Sequence, residues 1–415
     1  MCGGYNFNVS GETGYELYLI QQAPPTRVDT NRMAQQDPLA PVAPISGAGA
    51  RQVDLNESAA STRLLWPDLV RVYAIAGVVL LHSEAVPNTQ FGSIPVEIWW
   101  QTNIYHAFVC TCIPLFVMLS GSLLLTQPHW EPGRFARRRL LKLLPPLLIW
   151  TLVYAAWRRY VWHQDFGLED ILRSFVTGAE QPVFPHLWFV YTILSLYLLV
   201  PVLRIYFLHS SLDSQFYFAV LWIVASIVKP FIEQHYDLQV GYYLDPFYGY
   251  IGYFLLGATI SRYAPQRLNN GWVLACAVII AAGYLATMIG TYVLSAQAGK
   301  LDDALYHHLS PTVIPMSIAS FLLLRHLGYL WSERSSERSL LPRAVATLGR
   351  LTFGIYLVHA LMIVLLESGR LGFVLNPTTF PPLLSAPLMA VIVFAASAAF
   401  TALSQRTPAL RWATP

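Results

Sequence analysis

Apolar residues along this chain come in unbroken runs and do not alternate. From Leu69 almost to the C-terminal end, runs of about 18 or more residues recur, each long enough to cross a bilayer core. In hydrocarbon every backbone polar group must be satisfied within the protein, so only helices and closed barrels span it. Continuous runs select helices. The pattern predicts ten spans, at roughly 67–86, 104–126, 141–163, 186–208, 214–233, 245–263, 271–295, 310–330, 348–367 and 384–405. Internal prolines such as Pro114, Pro201 and Pro315 fit such helices, because neighbours satisfy the carbonyls they free. The predicted fold is all-α, a polytopic integral membrane protein.

Charge orients the spans. Of the 26 Lys and Arg residues, only Arg158, Arg159, Arg173, Lys229, Lys300 and Arg370 fall on one side of this arrangement. The rest fall on the other, an asymmetry that predicts both termini and the 127–142 loop in the cytoplasm, with 87–103 and 296–309 outside. An even number of spans agrees.

Composition adds the domain limits. Residues are 55% hydrophobic and 12% charged, against roughly a quarter charged in soluble domains. Residues 1–63 differ from this pattern, and Ala34–Ala60 is rich in Ala, Pro, Gln and Ser without apolar periodicity. They predict a disordered tail that contributes neither fold nor activity. Met1–Ile20 lacks the basic and apolar regions of a signal peptide, and Cys2 excludes a myristoylation start. The membrane part is expected over 64–405, with 406–415 a short cytoplasmic tail. The net charge of +3 says little about partners, and nucleic acid is not expected among them. The cysteines Cys2, Cys110, Cys112 and Cys276 show no zinc-ligand spacing, and Cys110 and Cys112 read as small hydrophobes within one helix. No metal site is expected.

Against this apolar background a few polar residues stand out. Arg71 and His82 share the first span, eleven residues apart, which places them within about 20° of one helical face and about 16 Å apart along the axis. Each alone suits an interfacial role, Arg71 as a cytoplasmic anchor and His82 as an outer polar residue. Together they suit a long phosphate-bearing donor held by its anionic part while a histidine acts as general base at its reactive end. Ser120-Gly121-Ser122 in the second span permit close helix packing. The basic run after it contains Arg139 and Lys142, three apart on one helix face, as a topology signal or a phosphate clamp. His186 opens the fourth span within His-Leu-Trp-Phe-Val-Tyr, and the ninth carries Tyr356 and His359, the latter readable as a helix-packing histidine near mid-membrane. Aromatic and acidic residues at 163–185 and 233–245 suit an interfacial belt or a sugar-binding rim.

The Arg71-to-His82 spacing, Pro114-Leu-Phe-Val-Met-Leu-Ser-Gly121, the basic run into Pro145-Pro146, His186-Leu-Trp-Phe-Val-Tyr191 and Gly354-Ile-Tyr-Leu-Val-His359 occur in this order. Together, over roughly 64–405, they resemble the acyltransferase 3 family of integral membrane acyltransferases. The likeness is greatest to the surface-polysaccharide branch, such as the enzyme that O-acetylates enterobacterial common antigen. The resemblance implies Arg71 and His82 as the essential pair, and Arg139 with Lys142 in the family's Arg-x-x-Arg element, where Lys is a departure. Accessory roles would fall to His186, His359, Tyr356 and Ser120. It also implies acetyl-CoA as co-substrate with no tightly bound cofactor, a lipid-linked or nascent surface glycan as acceptor, and a multi-pass place in a bacterial inner membrane. A polytopic transporter or lipid flippase is the alternative, disfavoured by the absence of related halves.

Overall fold

The computed structural model describes residues 64–415, apart from 128–129, 237, 239, 243, 245–246 and 335–338, and from the side chains of 234–236. The tail assigned to residues 1–63 therefore lies outside the described residues. All regular structure among them is helical. In chain order the helices are α1 Trp66–Asn88, α2 Val96–Val109, α3 Cys112–Leu124, α4 Pro132–Tyr160, α5 Leu168–Thr177, α6 Trp188–His209, α7 Leu212–Ile223, α8 Lys229–Tyr236, α9 Ile251–Tyr263, α10 Asn270–Ala298, α11 Val313–Arg334, α12 Leu340–Glu367 and α13 Pro382–Arg406. Among the described residues nine stretches, three of them continuing across helix junctions, are long and apolar enough to cross a bilayer. The chain is a polytopic membrane protein.

Local chemistry sets the helix ends. Pro132 opens α4, where a missing N–H costs nothing, and the Asn269 side chain caps α10 by accepting from the Trp272 N–H at 2.9 Å. Gly299 closes α10 in the left-handed region, with φ of 65°. Between α7 and α8 the helix loosens into a π turn over Val224–Val228.

Two expected spans take a different form. The segment read as one span at 104–126 is two helices, because the chain breaks at Cys110 and Thr111 between α2 and α3. Cys110 and Cys112, expected within one helix, thus lie on either side of that break, both buried. Among the described residues of the segment read as a span at 245–263, the α-helix is α9, whose 13 residues reach about 20 Å, short of the roughly 30 Å hydrocarbon core. It nonetheless runs along the bundle. Near its start the Tyr253 hydroxyl donates to the His308 carbonyl in the α10–α11 connection, at 2.5 Å. Past its end Arg325 of α11 donates to the Ala264 and Pro265 carbonyls, at 3.2 and 2.9 Å.

A short helix can sit at this depth because it is buried in protein. α9 packs along α3 with backbones in contact: a Cβ on Gly121 would come within 1.8 Å of the Phe254 carbonyl oxygen, and one on Gly257 within 1.9 Å of the Met118 oxygen. The small-residue stretch at 120–122 thus does the packing its composition predicts, and it fixes the neighbouring Ser120. α1 is central, packed against α2, α3, α11, α12 and α13. α10 is peripheral and leaves Leu274, Val278, Leu285, Ile289 and Val293 exposed as a lipid-facing surface.

Because the atoms met by those two new methyls are main chain, Gly121→Ala and Gly257→Ala should each destabilise the protein by about 3 kcal/mol or more. Thermal melting of the detergent-solubilised protein measures this. Wild-type melting temperatures would show that α3 and α9 are free to separate.

Candidate active site

The site is built where α1, α4 and α12 begin and α13 ends. A cavity of about 780 Å³ opens there. One wall is apolar, from Phe116, Leu119 and Leu123 of α3 with Phe189, Val190 and Ile193 of α6; Ser120 also lines it. The other wall carries Arg71, Arg139, Lys142, Arg350 and Arg406, with Asp68 and Pro415 also lining the cavity. Such an excess of cation in a confined, low-dielectric space favours an anion.

Arg71 is not a free interfacial anchor. Its Nη1 donates to Asp68 Oδ1 at 2.8 Å, one turn earlier on α1, and the Asp68 side chain is only 3% exposed against 31% for Arg71. Asp68 fits there because α12 offers no side chain opposite: a Cβ on Gly349 would lie 2.6 Å from Oδ1. The carboxylate is thus clamped between helices and aims the guanidinium. Arg139 lies over the rings of Phe135 and Tyr197, at 5.7 and 5.5 Å from their centroids, which orients it without neutralising it.

Behind the cavity wall lies a histidine group. Tyr356 lines the cavity, and its ring is 5.7 Å from His359 and 5.6 Å from His186, centroid to centroid. His359 in turn lies 5.1 Å from His186 and 5.2 Å from His82. Tyr356 and His359 share a face of α12, being three residues apart. The Tyr356 hydroxyl donates to the His186 carbonyl, so the 3₁₀ turn Pro185–Leu187 is tied to α12. His186 and His359 are buried, and His82 is half-buried. The structure therefore gathers His82, His186, His359 and Tyr356 in one group, and Arg71, Arg139, Lys142 and Ser120 with Tyr356 around the cavity. His359 thus lies beside two other histidines, and His82 faces a neighbouring helix. Among the described residues no three His, Cys, Asp or Glu side chains are placed to share a metal ion.

Sequence reasoning gave no site role to three residues of the cavity with charged side chains. Asp68 begins the first span three residues before Arg71, and that spacing is its signal. Arg350 and Arg406 counted only as topology markers, a residue type shared by topology signals and phosphate clamps. A second buried polar cluster also went unread. Glu84 Oε1 meets His106 Nδ1 at 2.6 Å, and Tyr306 donates to Asn103 at 2.6 Å, joining α1, α2 and the α10–α11 connection. In that connection burial, with His307 beside it, holds the His308 imidazole down at about 3, so His308 is a neutral packing group. Of the expected outer rim at 233–245, Tyr242 is exposed and Glu233 accepts from the Val240 N–H, while the side chains of His235, Tyr236, Asp237, Tyr243 and Asp245 lie outside the described residues.

The acyltransferase domain family matches the chain from 64 to 402, the stretch that carries most of this cavity and all four residues of the histidine group. The chain belongs to the acyltransferase 3 family. It is a membrane acyltransferase, and the match covers the described helical part almost to the end of α13. No curated protein and no solved structure matches it.

In this acyltransferase Asp68 should act through Arg71. Asp68→Asn keeps the volume under Gly349 and removes the charge that aims the guanidinium. The variant is expected to stay folded while acyl transfer falls toward that of Arg71→Ala. Full activity of Asp68→Asn would show that the ion pair is dispensable for placing Arg71.

Proposed function

We propose that this acyltransferase moves an acetyl group from acetyl-CoA to a sugar hydroxyl of a lipid-linked or nascent surface glycan in a bacterial cytoplasmic membrane. The observation that carries the reading is the cavity itself. It is lined by cations, by apolar side chains and by Tyr356, whose ring adjoins His186 and His359. Acetyl-CoA has the matching chemistry: anionic phosphates, an uncharged pantetheine arm, and a thioester at the tip. The glycan acceptor and the inner-membrane location rest on the family's surface-polysaccharide branch, which the motifs resemble.

In this reading Arg71, Arg139 and Lys142 bind the phosphates, with Arg350 and Arg406 completing the ring. Arg supplies bidentate forks and Lys a point charge. His82 is the general base. It takes the proton of the acceptor hydroxyl as the oxygen attacks the thioester carbonyl, the carbon–sulfur bond breaks, and the departing thiolate receives that proton. No net proton is consumed, so one neutral imidazole suffices. No observation favours a transporter or flippase.

The test is transfer from labelled acetyl-CoA by the purified protein, with donor binding measured in parallel. His82→Ala should reduce transfer by about 10²–10⁴-fold, the usual contribution of a positioned base, and leave donor binding near wild type. Arg139→Ala and Lys142→Ala should weaken binding, more so at high ionic strength where the remaining contacts are screened, and Lys142→Arg should be tolerated. A folded His82→Ala that transfers normally would overturn the catalytic assignment. Normal donor binding by both alanine variants would reduce the basic cluster to a topology signal.

A further inference from the structure

His359 has an assigned proton and an unused lone pair. Its Nδ1 lies 2.6 Å from the Tyr356 carbonyl oxygen. A carbonyl only accepts, so Nδ1 carries the hydrogen, and in the neutral ring Nε2 is left as the acceptor. That Nε2 is buried and has no hydrogen-bond partner, in a side chain that is 0% exposed. A buried polar atom without a partner costs stability and calls for a reason, and functional sites are a common one. Two other imidazoles adjoin His359. His186 is itself buried, with both ring nitrogens unpartnered, and His82 is half-buried, 5.2 Å away from centroid to centroid at an interplanar angle of 39°. Two imidazoles joined by an edge-on N–H···N bond have centroids about 5 Å apart, given the donor–acceptor distances of ordinary hydrogen bonds.

We propose that His359 is the positioning residue of His82: its Nε2 accepts the N–H of His82, so that the other nitrogen of His82 faces the acceptor hydroxyl as a base. This rests on the reading of His82 given above. Bases in enzymes are commonly oriented by a third group, and such bonds often tighten only in the substrate complex. Here the third group is anchored by main chain, the Tyr356 carbonyl, which side-chain exchange does not remove. During transfer the hydroxyl proton passes to His82 and then to the thiolate. His359 gains and loses no proton; it holds the tautomer and stabilises the imidazolium that forms.

Kinetics of the full-length protein test this. His359→Leu should lower kcat by about 10²–10⁴-fold, in the range of other orienting partners of a catalytic histidine, with KM for acetyl-CoA close to wild type. His359→Gln offers an oxygen acceptor near the same place and should recover a large part of kcat. It is the variant that decides if the leucine protein fails to fold. In the His82→Ala background, His359→Gln should produce no further loss, since a positioning residue has nothing left to position. Three results would overturn the proposal. They are a His359→Leu enzyme that is folded with wild-type kcat, multiplicative losses in the His82→Ala double variant, and a His359 effect that vanishes in a His186→Ala background but persists in His82→Ala. If His82→Ala is itself active, the base assignment fails first, and the two failures are told apart by that single variant.

Discussion

The contact between α1 and α12 sets both halves of this acyltransferase. The two helices start at the same end of the bundle, where Asp68, Arg71 and Arg350 line one cavity. There Gly349 leaves room for the Asp68 carboxylate, which aims Arg71. Farther along, the same pair of helices sets His82 beside His359. If α1 slid against α12, the anion clamp and the histidine group would be lost together. The rest of the bundle serves this pair. α3 and α6 supply the apolar wall of the cavity, α4 brings Arg139 and Lys142, and α9 holds α3 in place through Gly121 and Gly257.

The bilayer makes these placements costly, and so informative. A charged or polar side chain within a span needs a partner or a cavity. Arg204 meets this rule within the protein, donating to the Leu125 carbonyl at 2.7 Å and to that of Gln127. Arg325 does so through the carbonyls that follow α9. These arginines are structural clamps, buried and bonded to main-chain acceptors. Arg71, Arg139, Arg350 and Arg406 differ in lining open space. That contrast separates arginines that hold the fold from those available to a ligand.

The spans were legible because a soluble fold has little use for repeated apolar runs long enough to cross a bilayer. Their internal breaks were less so. Nothing in Cys110-Thr111 marks a helix end, since both residues are tolerated in helices, and the break follows from the packing around it. The stretch before α9 is rich in tyrosine and phenylalanine and so reads as apolar, although its helix begins only at Ile251. Within the site, helical period placed Arg71 and His82 on one face, whereas Tyr356 and His359 stood out only through the motif Gly354-Ile-Tyr-Leu-Val-His359. What brings His186 to His359 is tertiary, a hydrogen bond from Tyr356 to a carbonyl 170 residues earlier, and no local pattern encodes it.

The central claim is that the cation-lined cavity between α1, α4 and α12 holds the acyl donor. A photoreactive analogue of acetyl-CoA, activated on the detergent-solubilised full-length protein, tests it by mass spectrometry of the labelled peptides. The account predicts labels on the first turns of α1 and α12 and around Arg139 and Lys142, all suppressed by excess acetyl-CoA. Labels confined to the α10–α11 connection, or labelling that acetyl-CoA does not suppress, would contradict it.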